Sequence, residues 1–212
     1  MVDTRDSKSL ALRACRFESG RWYQYWYDDI MNKQIKFMTF DLPYFKCKME
    51  SHNLMKDNIL SLINNMPEKY LQIKNHSNIS KVDWEVPRGH SREYLSLLEP
   101  NLFNYMNTLV ENTEYDSWKI HNIWFQQYEQ NGEHGWHVHN DCQFTNVYYL
   151  ELPSDTPKTQ IINPFTQKTI DLEVEEGDVI TFPSFVIHKA PLVESKSRKT
   201  IISFNSDFTL SD

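Results

Sequence analysis

The chain has 212 residues, the size of one ordinary domain, and is long enough to bury a sizeable hydrophobic core. Hydrophobic residues make up 40% and charged residues 24%, which excludes wholesale disorder. The formal net charge of −7 disfavours a broad nucleic-acid surface, because such surfaces need clustered Lys and Arg. No run of eighteen apolar residues occurs, so no membrane-spanning helix is predicted.

The cysteines and the N-terminal residues favour a reducing compartment. Cys15, Cys47 and Cys142 are odd in number, far apart and without a CxxC pair, so they predict neither a disulfide framework nor a thiolate metal site. The first residues, MVDTRDSKSLALRACRF, lack the apolar stretch of a signal peptide. We therefore expect a cytoplasmic protein.

Residues 1–117 are predicted to form mostly helical and extended support for the remainder of the chain. Aromatic and β-forming residues over 21–45 predict short strands. A first helix is predicted between Ser51 and Pro67 from apolar residues that recur every 3.6 positions. Its apolar residues are Leu54, Met55, Ile59, Leu62, Ile63 and Met66. A second helix is predicted over 91–109, with Pro100 kinking or restarting it.

From residue 118 onward, short β-branched or aromatic segments alternate with Asn, Pro, Gly and charged clusters at intervals of roughly 8–12 residues. These segments are 119–128, 143–152, 159–165, 168–174, 177–183 and 199–208. Such spacing is typical of an antiparallel sandwich or barrel. Because no flexible linker marks the change near residue 117, we predict a single α+β domain over 1–212, with the sandwich over 118–212.

The densest chemical signal is HGWHVHND, residues 134–141. On a strand, residues i and i+2 lie on one face, so His137 and His139 can aim two imidazoles at one ion. Asp141 would follow on the same side if the strand continued that far. Neutral imidazole suits iron, zinc, copper and nickel, and the missing thiolate disfavours a structural zinc site. The same spacing also occurs in solvated or structural histidine pairs.

Two later residues extend the pattern. His188 ends a predicted apolar strand, VITFPSFVIH, and Arg198 opens another, RKTIISFN, ten residues on. Alternation places Arg198 and Thr200 on one face, and an arginine that faces the interior needs an anionic partner because an unpaired buried charge is costly. Taken singly, His188 also fits an ordinary core or surface histidine, and Arg198 an edge-strand arginine in water.

Together these residues describe a metal ion with three histidine ligands and open positions, beside an anion clamp. This suits non-haem Fe(II) with O₂ and a dicarboxylate ketoacid such as 2-oxoglutarate, whose distal carboxylate would meet Arg198 and Thr200. Tyr149, on the face shared by Thr145 and Val147, and Tyr128, on the strand before the histidines, would help to hold the acid.

The region from Trp124 to Asn205 resembles the Fe(II)/2-oxoglutarate-dependent dioxygenases, specifically the prolyl-4-hydroxylase-like group and its phage-type relatives. The matching segments are WFQQYEQNGEHGWHVHNDCQFTNVYYLELP and EEGDVITFPSFVIHKAPLVESKSRKTIISFN. The resemblance implies a double-stranded β-helix, which is a jelly roll of two antiparallel sheets. A strand tyrosine, a glycine and the first metal histidine recur in this family at the spacing of Tyr128, Gly132 and His137.

The resemblance also implies that His188 is the distal metal ligand. The residues that it implies for 2-oxoglutarate are Arg198, Thr200 and Tyr149. Most of the family reads H-x-D at the first ligand pair, whereas this chain has His137 and His139 there. The alternative register takes His139 and Asp141 as the H-x-D pair, although the Tyr128 and Gly132 spacing favours the first. Three neutral ligands would leave more positive charge on Fe(II).

The sequence therefore predicts an Fe(II)- and 2-oxoglutarate-dependent dioxygenase that hydroxylates a C–H bond of a protein residue or a small molecule. Its partners would be O₂, 2-oxoglutarate and a primary substrate that the sequence does not define. One alternative is a non-catalytic jelly-roll binding or assembly module. Another is a cupin-like metal oxygenase with three histidine ligands and no ketoacid.

Overall fold

The computed structural model of the chain describes residues 42–71, 78–84, 86–87 and 89–210. Leu42–Asp212 form one compact unit. The strands predicted over 21–41 lie outside the described residues, and the single domain over 1–212 stays a prediction. Within the described part of the chain, no helix combines the length and apolar character needed to cross a bilayer.

In the described part of the chain, two α-helices precede most of the strands. Helix α1 spans His52–Asn64, and helix α2 spans Glu93–Glu111. A short 3-10 helix, Glu68–Tyr70, follows α1. Helix α2 continues through Pro100, so the chain does not restart there. The predicted packing of Leu54 is wrong: its side chain is 84% exposed, because it lies to one flank of the buried stripe that includes Met55, Ile59 and Ile63.

Within residues 42–210, apart from the gaps given above, ten strands form two antiparallel sheets in a jelly-roll-like arrangement, as the sequence predicts. The larger sheet has the order β1-β8-β5-β10-β3-β2. Its strands are β1 Phe45–Lys48, β2 Lys81–Val82, β3 Ser117–Tyr128, β5 Phe144–Glu151, β8 Asp178–Pro183 and β10 Lys199–Thr209. The smaller sheet has the order β4-β9-β6-β7. Its strands are β4 His134–His137, β6 Gln160–Ile162, β7 Thr169–Asp171 and β9 His188–Ala190.

The central strands of the larger sheet are buried on both faces. Ile202 and Phe204 of β10 join a cluster with residues of α1 and α2, whereas Ile201 joins a second cluster that includes Ile161 and Ala190 of the smaller sheet. Both faces of β10 are therefore apolar. Alternation along β10 shows which residues share a face, but it does not show which layer that face meets.

The chain crosses from the larger sheet to the smaller one at a turn after Pro183. Strand β8 ends at Pro183, the Val186 N–H donates to the Pro183 carbonyl at 3.0 Å, and β9 begins at His188. The prediction that His188 ends one long strand is therefore wrong. The turn separates two strands, and His188 starts the second of them, beside β4.

The turn between β3 and β4 has no room for a side chain at Gly132. A Cβ at this position would lie 2.8 Å from the Glu129 carbonyl oxygen and 3.1 Å from the Tyr128 Cα. The Gly132 N–H donates to the same Glu129 carbonyl, and its own carbonyl accepts from the Val193 N–H. This close backbone approach sets where β4, with its histidines, begins.

We expect Gly132→Ala to lower the free energy of unfolding by about 1–3 kcal/mol, because backbone atoms must move to admit the methyl group. Gly135→Ala is the matched control, since a Cβ there meets nothing within 4 Å; its effect should stay within about 0.5 kcal/mol. Urea unfolding of both variants measures the difference. Equal stabilities for the two variants would contradict the steric argument.

Candidate metal centre

A cavity of about 330 Å³ lies between the two sheets. Residues of β3, β5 and β10 line it on one side, and residues of β4 and β9 on the other. Its lining combines aromatic rings, imidazoles and carboxamides, among them Trp84, Trp124, Gln126, His134 and Asn205. Among the described residues, no aspartate or glutamate lines it.

His137, His139 and His188 converge at this cavity. One ring nitrogen from each lies within 4.8 Å of the others. Antiparallel pairing of β4 with β9 sets His137 opposite His188, with ring centroids 4.2 Å apart. The His139 ring centroid lies 5.3 Å from that of His137 and 5.1 Å from that of His188. The structure thus brings together the three histidines of the predicted H-x-H register.

Asp141, the alternative ligand, is not part of this group in the described structure. Strand β4 ends at His137, so the alternation that would have carried Asp141 to the same side does not extend to it. Asp141 has a left-handed backbone conformation with φ of 60°. The geometry therefore supports the first register.

Each of the three rings has an oxygen against its Nδ1 atom. The distances are 2.7 Å from His137 to the Gly135 carbonyl, 2.8 Å from His188 to the Val186 carbonyl and 2.6 Å from His139 to Asn205 Oδ1. These oxygens accept a hydrogen bond from Nδ1–H and leave the Nε2 lone pair free, which is the arrangement of a metal-binding histidine. Burial lowers the pKa of all three histidines, to about 3 for His188. Neutral imidazole is the form that binds metal.

Arg198 and Thr200 do not approach the histidines. The Arg198 Nε and Nη2 atoms donate to the Glu151 carboxylate at 2.8 and 3.2 Å, and Thr200 Oγ1 donates to the same carboxylate at 2.8 Å. Arg198 Nη1 also donates to Asn64 Oδ1 at the end of α1. The predicted position of this pair beside the metal is wrong, because their face of β10 meets the helices. The anion that they hold is the protein's own Glu151.

Lys199, which the sequence analysis missed, lies on the opposite face of β10. In the pairing of β10 with β3, Lys199 stands opposite Tyr128, and Ile201 opposite Gln126. Tyr128, Gln126 and Ile201 all line the cavity. Lys199 is fully buried, its Nζ donates to the Pro157 carbonyl at 2.9 Å, and it lies 5.1 Å from the centre of the Tyr128 ring.

The charge of Lys199 has no carboxylate partner among the described residues. Burial lowers the pKa of Lys199 to about 8. The neighbouring Tyr128 hydroxyl is buried and has no hydrogen-bond partner in the described structure. A buried cation beside the ring of a tyrosine whose buried hydroxyl has no partner in the described structure offers two groups that an anion could satisfy.

Tyr149, the other tyrosine predicted to bind 2-oxoglutarate, is not among the residues that line the cavity. Tyr149 shares its face of β5 with Thr145 and Val147, as alternation predicts, and both of these line the cavity. The Tyr149 hydroxyl donates to Thr159 Oγ1 at 2.8 Å, and Thr159 lines the cavity. Tyr149 therefore positions a lining residue.

Neither a family model nor a curated protein matches the chain. Among solved structures, the fold is similar to a prolyl-4-hydroxylase from Pseudomonas putida, with a TM-score of 0.52 and 14% identity over 80% of this chain and 94% of that one. It is also similar to a 2OG-Fe(II) oxygenase family oxidoreductase from Burkholderia pseudomallei, with a TM-score of 0.55 and 14% identity over 77% and 83%.

A third similar structure is a prolyl hydroxylase from Trichoplax adhaerens, bound to a hypoxia-inducible factor peptide. Its TM-score is 0.56, with 12% identity over 77% of this chain and 82% of that one. At these identities the likeness establishes the fold. The chain has the fold of the 2OG-Fe(II) oxygenases and prolyl hydroxylases, as the sequence resemblance predicts.

We expect His137→Ala and His188→Ala each to weaken Co(II) binding by more than about 100-fold, because a lost ligand costs more than the roughly 10–100-fold lost with an outer hydrogen-bond partner. His121→Ala is the control, since His121 pairs with Asp207 outside the cluster. Titration followed by the visible absorption of Co(II) measures the affinities. Wild-type affinity in the two cluster variants would remove these residues from any metal site.

Proposed function

We propose that the protein is an Fe(II)- and 2-oxoglutarate-dependent dioxygenase that hydroxylates a C–H bond. The observation that carries this proposal is the convergence of His137, His139 and His188 at a cavity that also has Tyr128 in its wall, with the uncompensated cation of Lys199 beside that ring. We further propose that the two sheets form a double-stranded β-helix, with α1 and α2 as N-terminal support, in a cytoplasmic protein.

The three histidines fit a metal ion of the Fe(II) type. Each presents a free Nε2 atom, and three protein ligands leave open positions for other ligands. Bound Fe(II) would supply the redox chemistry by which O₂ oxidises 2-oxoglutarate and the primary substrate. The protein's part is to hold the rings in place and to exclude water with the buried side chains around them, including Trp124 and Ile201.

Lys199 takes the place of the predicted Arg198 and Thr200 in binding 2-oxoglutarate, together with Tyr128, which the sequence already predicted. The cosubstrate carries two carboxylates, one of which needs a cation away from the metal. Arg198 is already neutralised by Glu151, whereas Lys199 is buried and has no anionic partner among the residues that the structure describes. A cation in a poorly solvated position binds an anion more strongly than an exposed one does. The free Tyr128 hydroxyl supplies a further donor.

One observation favours a second candidate, a three-histidine metal oxygenase that uses no ketoacid. The metal group contains only histidines, and no carboxylate lines the cavity among the described residues. The two candidates share the metal and differ at Lys199, which would bind an anionic cosubstrate only in the first of them. Wild-type protein that binds metal but not 2-oxoglutarate would support this second candidate. Protein that binds neither would leave a non-catalytic jelly roll.

We expect Lys199→Met to weaken 2-oxoglutarate binding by about 10–100-fold, because a hydrogen bond to a charged group contributes roughly 1.5–3 kcal/mol. Arg198→Met is the matched control on the adjacent residue and should leave this affinity unchanged, although it removes the ion pair with Glu151. Calorimetric titration of the Mn(II)-loaded protein in the absence of O₂ measures both. Loss of affinity in the Arg198 variant alone would restore the assignment made from the sequence.

The affinity for 2-oxoglutarate should fall as the pH rises through about 8. Lys199 must be charged to bind a carboxylate, and burial holds its pKa in the free protein near 8. Above that pH, the fraction of Lys199 that carries a charge falls about tenfold for each pH unit. The dissociation constant for 2-oxoglutarate should therefore rise by up to about tenfold for each unit. Tyr128 and Tyr149, on the same side of the sheet, stay neutral because burial raises their pKa well above the usual value.

The dissociation constant should be measured from pH 7 to 9.5 in wild type and in Lys199→Arg. The arginine keeps its charge throughout this range. A flat profile in the variant beside a rising one in the wild type identifies Lys199 as the titrating group. Parallel profiles in the two proteins would assign the effect to another residue.

A further inference from the structure

His139 is held differently from the other two histidines of the cluster. His137 and His188 lie in paired strands, whereas His139 follows the end of β4 in irregular backbone. Its main-chain N–H donates to the Ser184 carbonyl at 3.0 Å. Its ring packs against Trp124 with centroids 5.7 Å apart. These contacts fix the position of the residue, but they do not determine which of its two ring nitrogens carries the proton.

The partners of Nδ1 also differ among the three rings. In His137 and His188 the partner is the main-chain carbonyl two residues earlier, so the local backbone supplies it. In His139 the partners are two side chains, Asn205 Oδ1 at 2.6 Å and Thr145 Oγ1 at 2.9 Å. Both are buried, and they stand opposite each other in the pairing of β10 with β5. Side chains of the larger sheet therefore provide the Nδ1 hydrogen-bond partners of His139, whereas main-chain carbonyls provide those of His137 and His188.

This pair defines the proton position on His139. An amide oxygen only accepts hydrogen bonds, so Asn205 Oδ1 requires the proton on Nδ1. Thr145 is compatible with the same arrangement, because its hydroxyl can accept from Nδ1 and donate to Asn205 Oδ1 at 3.4 Å. With the proton on Nδ1, the Nε2 lone pair is free toward His137 and His188. The opposite tautomer would present an N–H to the metal and could not bind it.

We propose that Asn205 and Thr145 are positioning residues that fix the tautomer and the ring orientation of His139. They thereby allow a neutral imidazole to occupy the ligand position that the family resemblance assigns to an aspartate. An aspartate offers oxygen atoms that need no tautomer, whereas a histidine there needs this support. The inference rests on the proposed metal site but concerns residues that do not touch the metal.

The first test uses the metal-free protein, so it does not depend on metal binding. Long-range ¹H–¹⁵N spectra of the imidazole rings distinguish the two tautomers, and His139→Gln assigns the His139 signals. We expect the Nδ1–H form in the wild type and a shift toward the Nε2–H form in Asn205→Leu, with the His137 and His188 signals unchanged. An unchanged His139 tautomer in this variant would overturn the proposal.

The second test measures Co(II) affinity. Asn205→Leu should bind about 10–100-fold more weakly, the usual cost of losing an outer hydrogen-bond partner of a ligand. Asn205→Asp should retain binding, because its carboxylate accepts the same hydrogen bond from Nδ1–H. Asn122→Leu is the matched control: Asn122 stands opposite Asn205 on β3 and lines the same cavity, but the described hydrogen bonds of the His139 ring go to Asn205 and Thr145.

Thr145→Val, which keeps the shape of the side chain, tests the same network if the leucine variant fails to fold. It should weaken Co(II) binding in the same direction by a smaller factor, because Asn205 remains. Equal Co(II) affinity in the wild type, Asn205→Leu and Thr145→Val would overturn the inference while leaving the metal site intact. Absence of Co(II) binding in the wild type would instead remove the metal site on which it rests.

Discussion

The pairing of β4 with β9 sets His137 opposite His188, and the rest of the site is arranged around that backbone pairing. Two features make the pairing possible. The turn after Pro183 takes the chain into the smaller sheet immediately before His188, and the tight turn at Gly132 returns it from β3 to β4. Two residues far apart in sequence thereby become neighbours through main-chain hydrogen bonds, which do not depend on side-chain chemistry.

The two adjacent basic residues at the start of β10 show how burial assigns different roles to similar side chains. Arg198 faces the helices and is satisfied by Glu151. Lys199 faces the other way and is fully buried, and its partners among the described residues are a main-chain carbonyl and an aromatic ring. An ion pair of the first kind is ordinary structural chemistry. An unpaired buried lysine lowers stability, and such groups are concentrated at functional sites.

The sequence predicted six of the described strands, β3, β5, β6, β7, β8 and β10, because each lies in a β-branched or aromatic segment bounded by turn residues. It did not predict β2, which has only two residues. It also predicted that His137, His139 and His188 would lie together, since the spacing of histidines on strands limits where their rings can point. It failed where one strand is buried on both faces, because the periodicity of residues 198–205 is the same whichever layer each face meets. It also ran β8 and β9 together, because the residues of the turn between them are as apolar as the strands.

Asn205 and Thr145 carried no sequence signal, because their importance arises only when β10, β5 and the segment after β4 come together. They are also uncharged, which affects the whole cavity. No carboxylate among the described residues lines it, and the supports of all three histidine rings are neutral oxygens. A divalent cation on these ligands would keep its full charge, and Lys199 adds another. With such a cation bound, the electrostatic attraction for a dianion would therefore be stronger than in a site where one ligand is a carboxylate.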